Sequence, residues 1–315
     1  MQEILRQIKT LVTQSVQNHR YDSIALSGGL DSSILASCVD KKTVAFALIA
    51  KDFASTDLVY AQLVAKLHDL KLDIITVDVD CLLSAAEDTI KILEVFNPIE
   101  IRNSIVVYLT MKAAKASGFK SMMTGDGADE LFAGYNFFKK LSAKELEKDL
   151  ERIWSVMHFP SKIISKSIGM SLHTPFLDDV VSEYAKKIPP EFKVHDEKGT
   201  KYGKWILRKA FENDLPGSII WRDKSAMQDG SGTSGLTSFL DGMITDSTFA
   251  KKSRHYAEKE QVVLSSKESL YYYELYRKYF DIPHAVAKSD SKCPCCNYSL
   301  KPDSHFCRMC GSFPI

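Results

Sequence analysis

Three short stretches of this chain carry residue types and spacings that suit chemistry. Ser27-Gly28-Gly29-Leu30-Asp31-Ser32-Ser33 sets two glycines, three hydroxyls and a carboxylate side by side. Glycines without Cβ atoms let backbone N–H groups reach phosphate oxygens, and a following helix N-terminus adds positive partial charge. A carboxylate beside a bare anion site would repel its ligand, so Asp31 implies a Mg²⁺ between the two. The candidate nucleotide contacts are Leu26, Ser27, Gly28, Gly29, Asp31, Ser32 and Ser33, joined by Gly125 from a second stretch. The plain alternative is a Gly-rich turn capped by Ser and Asp, but the complete string between a strand and a helix favours function.

The second stretch, Thr124-Gly125-Asp126-Gly127-Ala128-Asp129-Glu130-Leu131-Phe132-Ala133-Gly134-Tyr135, crowds glycines and carboxylates together. Asp129 can share the Mg²⁺ with Asp31, and Asp126 can act as a general base. The alternative is an acidic turn with solvated side chains. The third stretch is a C-x2-C-x10-C-x2-C array of Cys293, Cys296, Cys307 and Cys310, whose thiolates can meet one tetrahedral Zn²⁺. Cys295 lies between the ligands and reads as spare, with slipped ligation or redox-active pairs as alternatives.

These loops need a scaffold. Ile4, Leu5, Ile8, Leu11, Val12 and Val16 recur at helical spacing and predict an opening amphipathic helix over 4–16. Strands are then predicted at Ser23–Ser27, Thr43–Ile49, Asp73–Val77 and Ser121–Thr124. Helices are predicted at Asp31–Val39, Asp57–His68, Cys81–Leu93 and Ser104–Ala116. Strands separated by helices of this length imply right-handed crossovers and a parallel sheet, an α/β fold with helices on both faces. Both chemical loops then fall at the C-terminal edge of that sheet, facing one another. Residues 139–153 are dense in Lys and Glu and read as a solvated helix face. Residues 160–280 read as a mostly helical extension. Gly230-Ser231-Gly232-Thr233-Ser234-Gly235 looks too flexible for a packed element and predicts a mobile active-site loop. The boundaries expected are 1–283 for the main domain, 284–292 for a linker and 293–315 for a small zinc ribbon.

Composition excludes several classes. The chain has 315 residues, 45% hydrophobic and 26% charged, which is ordinary for a globular protein. Lys+Arg number 41 and Asp+Glu 40, so no global field draws nucleic acid or anionic lipid. The longest apolar run, Val44–Ala50, is far short of the ~20 residues that span a bilayer. Glu3, Arg6 and Lys9 interrupt any signal-peptide core. A soluble, cytoplasmic protein with no membrane partner is expected. No G-x-x-x-x-G-K-[ST] string exists, and Gly199–Lys204 falls one residue short of it, so a P-loop kinase or GTPase is excluded; no G-x-G-x-x-G follows a strand.

The first loop resembles the pyrophosphate-binding loop of N-type ATP pyrophosphatases, whose fold is that of the adenine nucleotide alpha hydrolases. Its Leu30–Ser33 ending and the Thr124–Tyr135 string look most like the synthetase domain of asparagine synthetases. Four further segments are similar to that family: Leu215–Lys224 leading to Gln228-Asp229-Gly230, Lys204–Arg208, Ser266–Phe280, and Ile101-Arg102-Asn103-Ser104. The resemblance covers roughly residues 15–283. It implies that Lys224 contacts phosphates, where a point charge suits the developing charge on leaving pyrophosphate; without the surrounding string it would be a surface lysine. It implies that Asp126 handles the ammonia nucleophile, and it makes Arg102 a candidate substrate contact. The activity implied is ATP-dependent adenylation of a carboxylate, aspartate or an analogue, with release of AMP and pyrophosphate and transfer of ammonia. ATP, Mg²⁺ and Zn²⁺ are the cofactors expected.

Two departures bear on the substrates. Complete members begin with a glutaminase domain whose nucleophile is the Cys after Met; here residue 2 is Gln2 and the first strand opens at Ser23. Free ammonia, or a separate glutaminase, is therefore expected as the nitrogen source. Where the family reads E-x-R before P-F-L-D, this chain has Ser171-Leu172-His173 before Thr174-Pro175-Phe176-Leu177-Asp178. The acceptor is thereby left open. His173 reads as a structural histidine or, alternatively, a catalytic base. The ribbon could meet tRNA or a protein. That keeps two further readings, adenylation of a tRNA base and a non-catalytic ATP-binding subunit.

Overall fold

A computed structural model describes residues 1–224, 226–287, 291–301 and 304–315. Ser225, Lys288–Asp290 (within the expected 284–292 linker) and Pro302–Asp303 lie outside the described residues. The chain divides into two compact units: Met1–Ile49, Thr56–Ile75 and Thr110–Ala226 form one, and Ala50–Ser55, Thr76–Leu109 and Met227–Ile315 the other.

The five-stranded sheet comprises β1 (Ser23–Ala25), β2 (Val44–Ala50), β3 (Lys71–Val77), β4 (Ser121–Met123) and β5 (Ser171–His173), in the order β3-β2-β1-β4-β5. β1 runs parallel to β2 and β4, and β4 parallel to β5. β2 reads as an unbroken apolar run because nearly all of it is buried, as a central parallel strand must be. The chain builds outward from β1 to β3, then returns to place β4 on the other side of β1. The strand order therefore reverses between β1 and β4. In open parallel sheets that reversal opens a crevice beyond the C-terminal strand ends. The two predicted chemical loops leave β1 and β4 there.

The opening helix, Gln2–Asn18, buries Ile8, Val12 and Val16 against Ile34, Leu35, Phe176, Ile206 and Leu207, as its spacing predicted. β5 was not predicted. Ser171-Leu172-His173 has little strand character of its own; it extends because the free edge of β4 binds it, with Ser171 N–H donating to Lys120 and Thr124 N–H to His173. Gly199–Lys204, the near-miss phosphate string, belongs to a hairpin pairing His195–Glu197 with Thr200–Tyr202. Its Lys198-Gly199 turn has positive φ at both residues, as a tight hairpin requires.

In the second unit the helix Val79–Leu93 packs on Lys267–Arg277. Tyr272 and Tyr273 are buried core residues, and the Phe96 ring meets Tyr273 and Tyr276 at 4.8 and 5.5 Å. The expectation of a mobile loop over 230–235 is corrected. Helices Met227–Ser231 and Gly235–Met243 flank a buried turn in which Ser231 and Thr233 hydroxyls bond one another. A side chain at Gly235 would strike the Phe53 ring, and one at Gly232 would crowd Ala54 O at 3.1 Å. These glycines serve close packing, not motion.

The cysteine-rich tail forms two knuckles, closed by Asn297 N–H to Cys293 O and Gly311 N–H to Cys307 O. It is seated on the rest of its unit. Phe96 N–H donates to Met309 O, Val263 N–H to Cys295 O, and Arg308 makes a two-pronged ion pair with Glu100 at 2.7–3.1 Å. Among the described residues no helix is long and apolar enough to cross a membrane.

Candidate active site

The first loop leaves β1 through Leu26, which is buried and tied to β2 by its N–H to Phe46 O. Gly28 turns the chain at φ +78°, and a Cβ there would lie 2.5 Å from Ala61 N, so only glycine lets the helix Leu58–Leu67 approach. That helix is also held by Arg222, which pairs with Asp57 at 2.7 Å and stacks 3.9 Å from the Tyr60 ring. Ser27 Oγ lies 3.1 Å from Ser32 Oγ and accepts from Gly29 N–H. Ser33 Oγ and Asp31 Oδ1 are buried without hydrogen-bond partners among the described residues. Buried polar atoms are seldom left so unless a ligand completes them.

The acidic loop follows β4 directly. Gly125 brings its backbone against Asp31: a Cβ on it would lie 2.9 Å from the Asp31 Cβ. Gly127, at φ +92°, turns the chain into a short helix, Ala128–Leu131, carrying Asp129. Asp126 Oδ2 accepts from Thr124 Oγ1 at 3.0 Å and from Ser161 Oγ. Burial pushes its carboxyl above the usual range despite those two donors.

Asp31 and Asp129 are joined by a residue that the motif reading left without a role. Lys204 Nζ lies 2.5 Å from Asp31 Oδ2 and 2.6 Å from Asp129 Oδ1, and the residue is only 4% exposed. Lys224 Nζ ion-pairs with the other Asp129 oxygen and sits 5.3 Å from the Tyr135 ring. Burial alone would raise the Asp129 carboxyl, but the two ammonium groups outweigh it and hold it down at about 2. Lys204 N–H is fixed to Phe132 O, and its φ of +54° is one that a residue with a Cβ rarely adopts. Gly134 makes room for the array, since a Cβ there would run into Asp129 Oδ1 and Lys204 Cε. Arg208 binds Gly203 O at 2.9 Å and the carbonyls of Ile220 and Arg222, so one buried guanidinium ties the segments carrying both lysines.

The structure thus brings together Asp31, Asp129 and Lys224, with Gly125 against Asp31 and the Ser27–Ser33 loop leading into it. It adds Lys204, Ser161 and Arg208, which motif reading missed; the only signal for Lys204 was its place at the head of the Lys204–Arg208 string. Arg102 belongs to the other unit. There it is buried, pairing with Glu268 and bonding Gln228 at 3.0 Å and Thr237 at 2.8 Å. Ser171 is exposed, while His173 Nδ1 lies 3.1 Å from His19 Nδ1, and His19 Nε2 lies 2.8 Å from Asp178. Burial lowers the His173 imidazole.

The donor sets fit the expected metals. Hard carboxylate oxygens, one of them unpartnered, suit Mg²⁺. The ligand sulfurs of Cys293, Cys296, Cys307 and Cys310 all lie within 4.8 Å of one another. Cys293 and Cys310 sulfurs are 3.7 Å apart, and Cys296 and Cys307 sulfurs 3.6 Å. A tetrahedron with Zn–S bonds of about 2.3 Å requires S–S edges of about 3.8 Å. Cys295 is not in the cluster.

Comparison with known proteins identifies the family. The family described as asparagine synthase matches residues 7–162 and 143–292. A probable glutamine-hydrolyzing asparagine synthetase of Dictyostelium discoideum is 31% identical over 317 residues, covering 89% of this chain and 55% of that protein. Asparagine synthetase B [glutamine-hydrolyzing] of Escherichia coli (strain K12) is 30% identical over 309 residues, covering 89% of this chain and 54% of that protein. The chain spans about half the length of these curated relatives. A solved structure of NMN synthetase from Francisella tularensis matches 92% of this chain and 98% of its own at 14% identity and a TM-score of 0.37, a likeness too loose to bear on function. This chain belongs to the asparagine synthase family.

Proposed function

We propose that this protein is a cytoplasmic, ATP-dependent amide-forming ligase that adenylates a carboxylate and passes the acyl group to ammonia. The observation that carries the reading is the Asp31–Lys204–Asp129–Lys224 array beside a glycine loop at the sheet's switch point. Asp31 and Asp129 would hold Mg²⁺, which neutralises phosphate charge when bound. The loop's backbone N–H groups and the Ser27, Ser32 and Ser33 hydroxyls would orient the triphosphate. A substrate carboxylate oxygen attacks the α-phosphorus, the bond to the β-phosphate oxygen breaks, and pyrophosphate leaves. Lys224 and Lys204 stabilise the charge that develops on it. Ammonia then attacks the acyl carbon, AMP leaves with the bonding electrons, and a proton passes from nitrogen to Asp126. A carboxylate whose proton affinity is raised by burial is better matched to that task near neutral pH.

Aspartate is the acceptor that the family suggests, with ammonia arriving free or from a separate glutaminase. The cysteine tail beyond the 284–292 linker, seated on the rest of its unit, would hold one Zn²⁺ through Cys293, Cys296, Cys307 and Cys310. The first half-reaction has its own test. With Mg-ATP and aspartate, labelled pyrophosphate should enter ATP, and Asp31→Ala should stop the exchange in a protein that remains folded. Exchange unaffected by that substitution would remove Asp31 from the site.

A further inference from the structure

The two carboxylates assigned to Mg²⁺ already share a cation. The Lys204 ammonium sits between one oxygen of Asp31 and one of Asp129, at 2.5 and 2.6 Å. Lys224 supplies a second positive charge to Asp129. Two carboxylates and two ammonium groups sum to zero, so a bare divalent ion would enter a neutral, largely buried array and leave it with two uncompensated charges. Such a state is strongly disfavoured away from water. A metal that arrives with a triphosphate brings the missing negative charge with it.

The backbone around Lys204 is built for this placement. A residue with a Cβ is held at φ +54°, its N–H is fixed to Phe132 O, and Gly203 packs against the Ala133 carbonyl. The missing side chain at Gly134 leaves the space that the Lys204 Cε fills. Asp31 Oδ1, by contrast, is buried with no hydrogen-bond partner among the described residues although its neighbour Oδ2 is paired. One acceptor thus stays open while the ammonium occupies the other.

We propose that in the nucleotide-free protein Lys204 stands in for the divalent ion between Asp31 and Asp129, so that metal binds only together with a nucleotide. The incoming phosphates compensate the displaced ammonium. This rests on the functional reading above and adds an order of binding to it.

The test uses Mn²⁺ as the probe, read by its electron paramagnetic resonance, with the full chain and without turnover. The wild type should bind Mn²⁺ weakly alone and tightly with a non-hydrolysable ATP analogue. Lys204→Met should bind nucleotide-free Mn²⁺ at least ten-fold more tightly than the wild type. Lys204→Gly removes the same charge and suits the positive φ, so it serves if the methionine variant folds poorly. Lys224→Met, which frees only Asp129, should gain less. Unchanged nucleotide-free affinity in both Lys204 variants, with analogue-dependent Mn²⁺ binding intact in the wild type, overturns this inference alone. No Mn²⁺ binding to the wild type even with the analogue overturns the metal assignment and this inference together.

Discussion

Gly134→Ala is the smallest change that reaches the centre of the proposed site. A Cβ at this position falls far inside van der Waals distance of Asp129 Oδ1 and Lys204 Cε, where ordinary contact begins at 3.4 Å. Neither neighbour can simply rotate away. Asp129 is held by two ammonium groups, and Lys204 by Asp31, Asp129 and a backbone fixed to Phe132. Relief therefore needs a shift of roughly 1 Å in the carboxylate or the lysine, and misplacement on that scale costs on the order of 100-fold in rate. Overpacking of this kind costs about 1–3 kcal/mol in stability, which leaves the chain folded if its stability is ordinary. The assay is aspartate-dependent pyrophosphate exchange into ATP, with urea unfolding alongside. The expected result is exchange down about 100-fold with a modest fall in the urea midpoint. Exchange within about three-fold of wild type would show that the Asp129–Lys204 contact does not need its present geometry and would refute the reasoning.

Three further outcomes follow from individual groups. Lys193 is 1% exposed, 4.5 Å from the Trp154 ring, and no carboxylate among the described residues pairs with it. Burial pulls its ammonium down to about 7 from 10.5. The unfolded chain binds the extra proton between those values, so stability should rise with pH across that window and stay flat below it. Lys193→Met should stabilise the protein by roughly 2–4 kcal/mol near pH 7, with the gain vanishing by about pH 10.5, as read from urea midpoints across pH; a gain independent of pH would refute the assignment. Thr124 and Ser161 donate to the charged form of Asp126 and so oppose its raised proton affinity. Ser161→Ala should therefore move the acidic limb of the rate profile to higher pH, and a limb that stays or moves down removes Asp126 as the base. Chelating the zinc proposed for the tail should loosen its knuckles and with them the contacts at Phe96 and Glu100. Amide exchange at Phe96 should speed up at least ten-fold while Leu26 stays protected, and unchanged exchange at Phe96 would show that the tail keeps its seat without metal.

What was legible in the sequence had a local physical signature. The strand expected at Thr43–Ile49 and found at Val44–Ala50 could be read because burial on both faces writes an unbroken apolar run, and the opening helix because one buried face writes a 3.6-residue period. Asp31, Asp129 and Lys224 could be singled out because each sits in a recognisable string, and the fold joins them through Lys204 and Asp129. β5 was not, because Ser171–His173 is extended by the free edge of β4 and not by its own residues. Lys204 reaches Asp31 across 173 positions, and Ser161 reaches Asp126 across 35, so no local pattern records either partnership. Gly230–Gly235 misled for the opposite reason: glycine is needed both where a chain moves and where it packs too closely for a Cβ, and composition alone does not separate the two. Cys295 could be read as spare because it falls between the paired spacings, and the four sulfurs that lie within 4.8 Å of one another are those of Cys293, Cys296, Cys307 and Cys310.

The central claim is amide formation through an adenylate, and product stoichiometry tests it most directly. Purified protein supplied with Mg-ATP, ammonia and aspartate should release AMP, pyrophosphate and asparagine in equal amounts. Release of ADP and phosphate in place of AMP and pyrophosphate would contradict it, whereas binding of ATP with no pyrophosphate formed on aspartate would contradict aspartate as the acceptor.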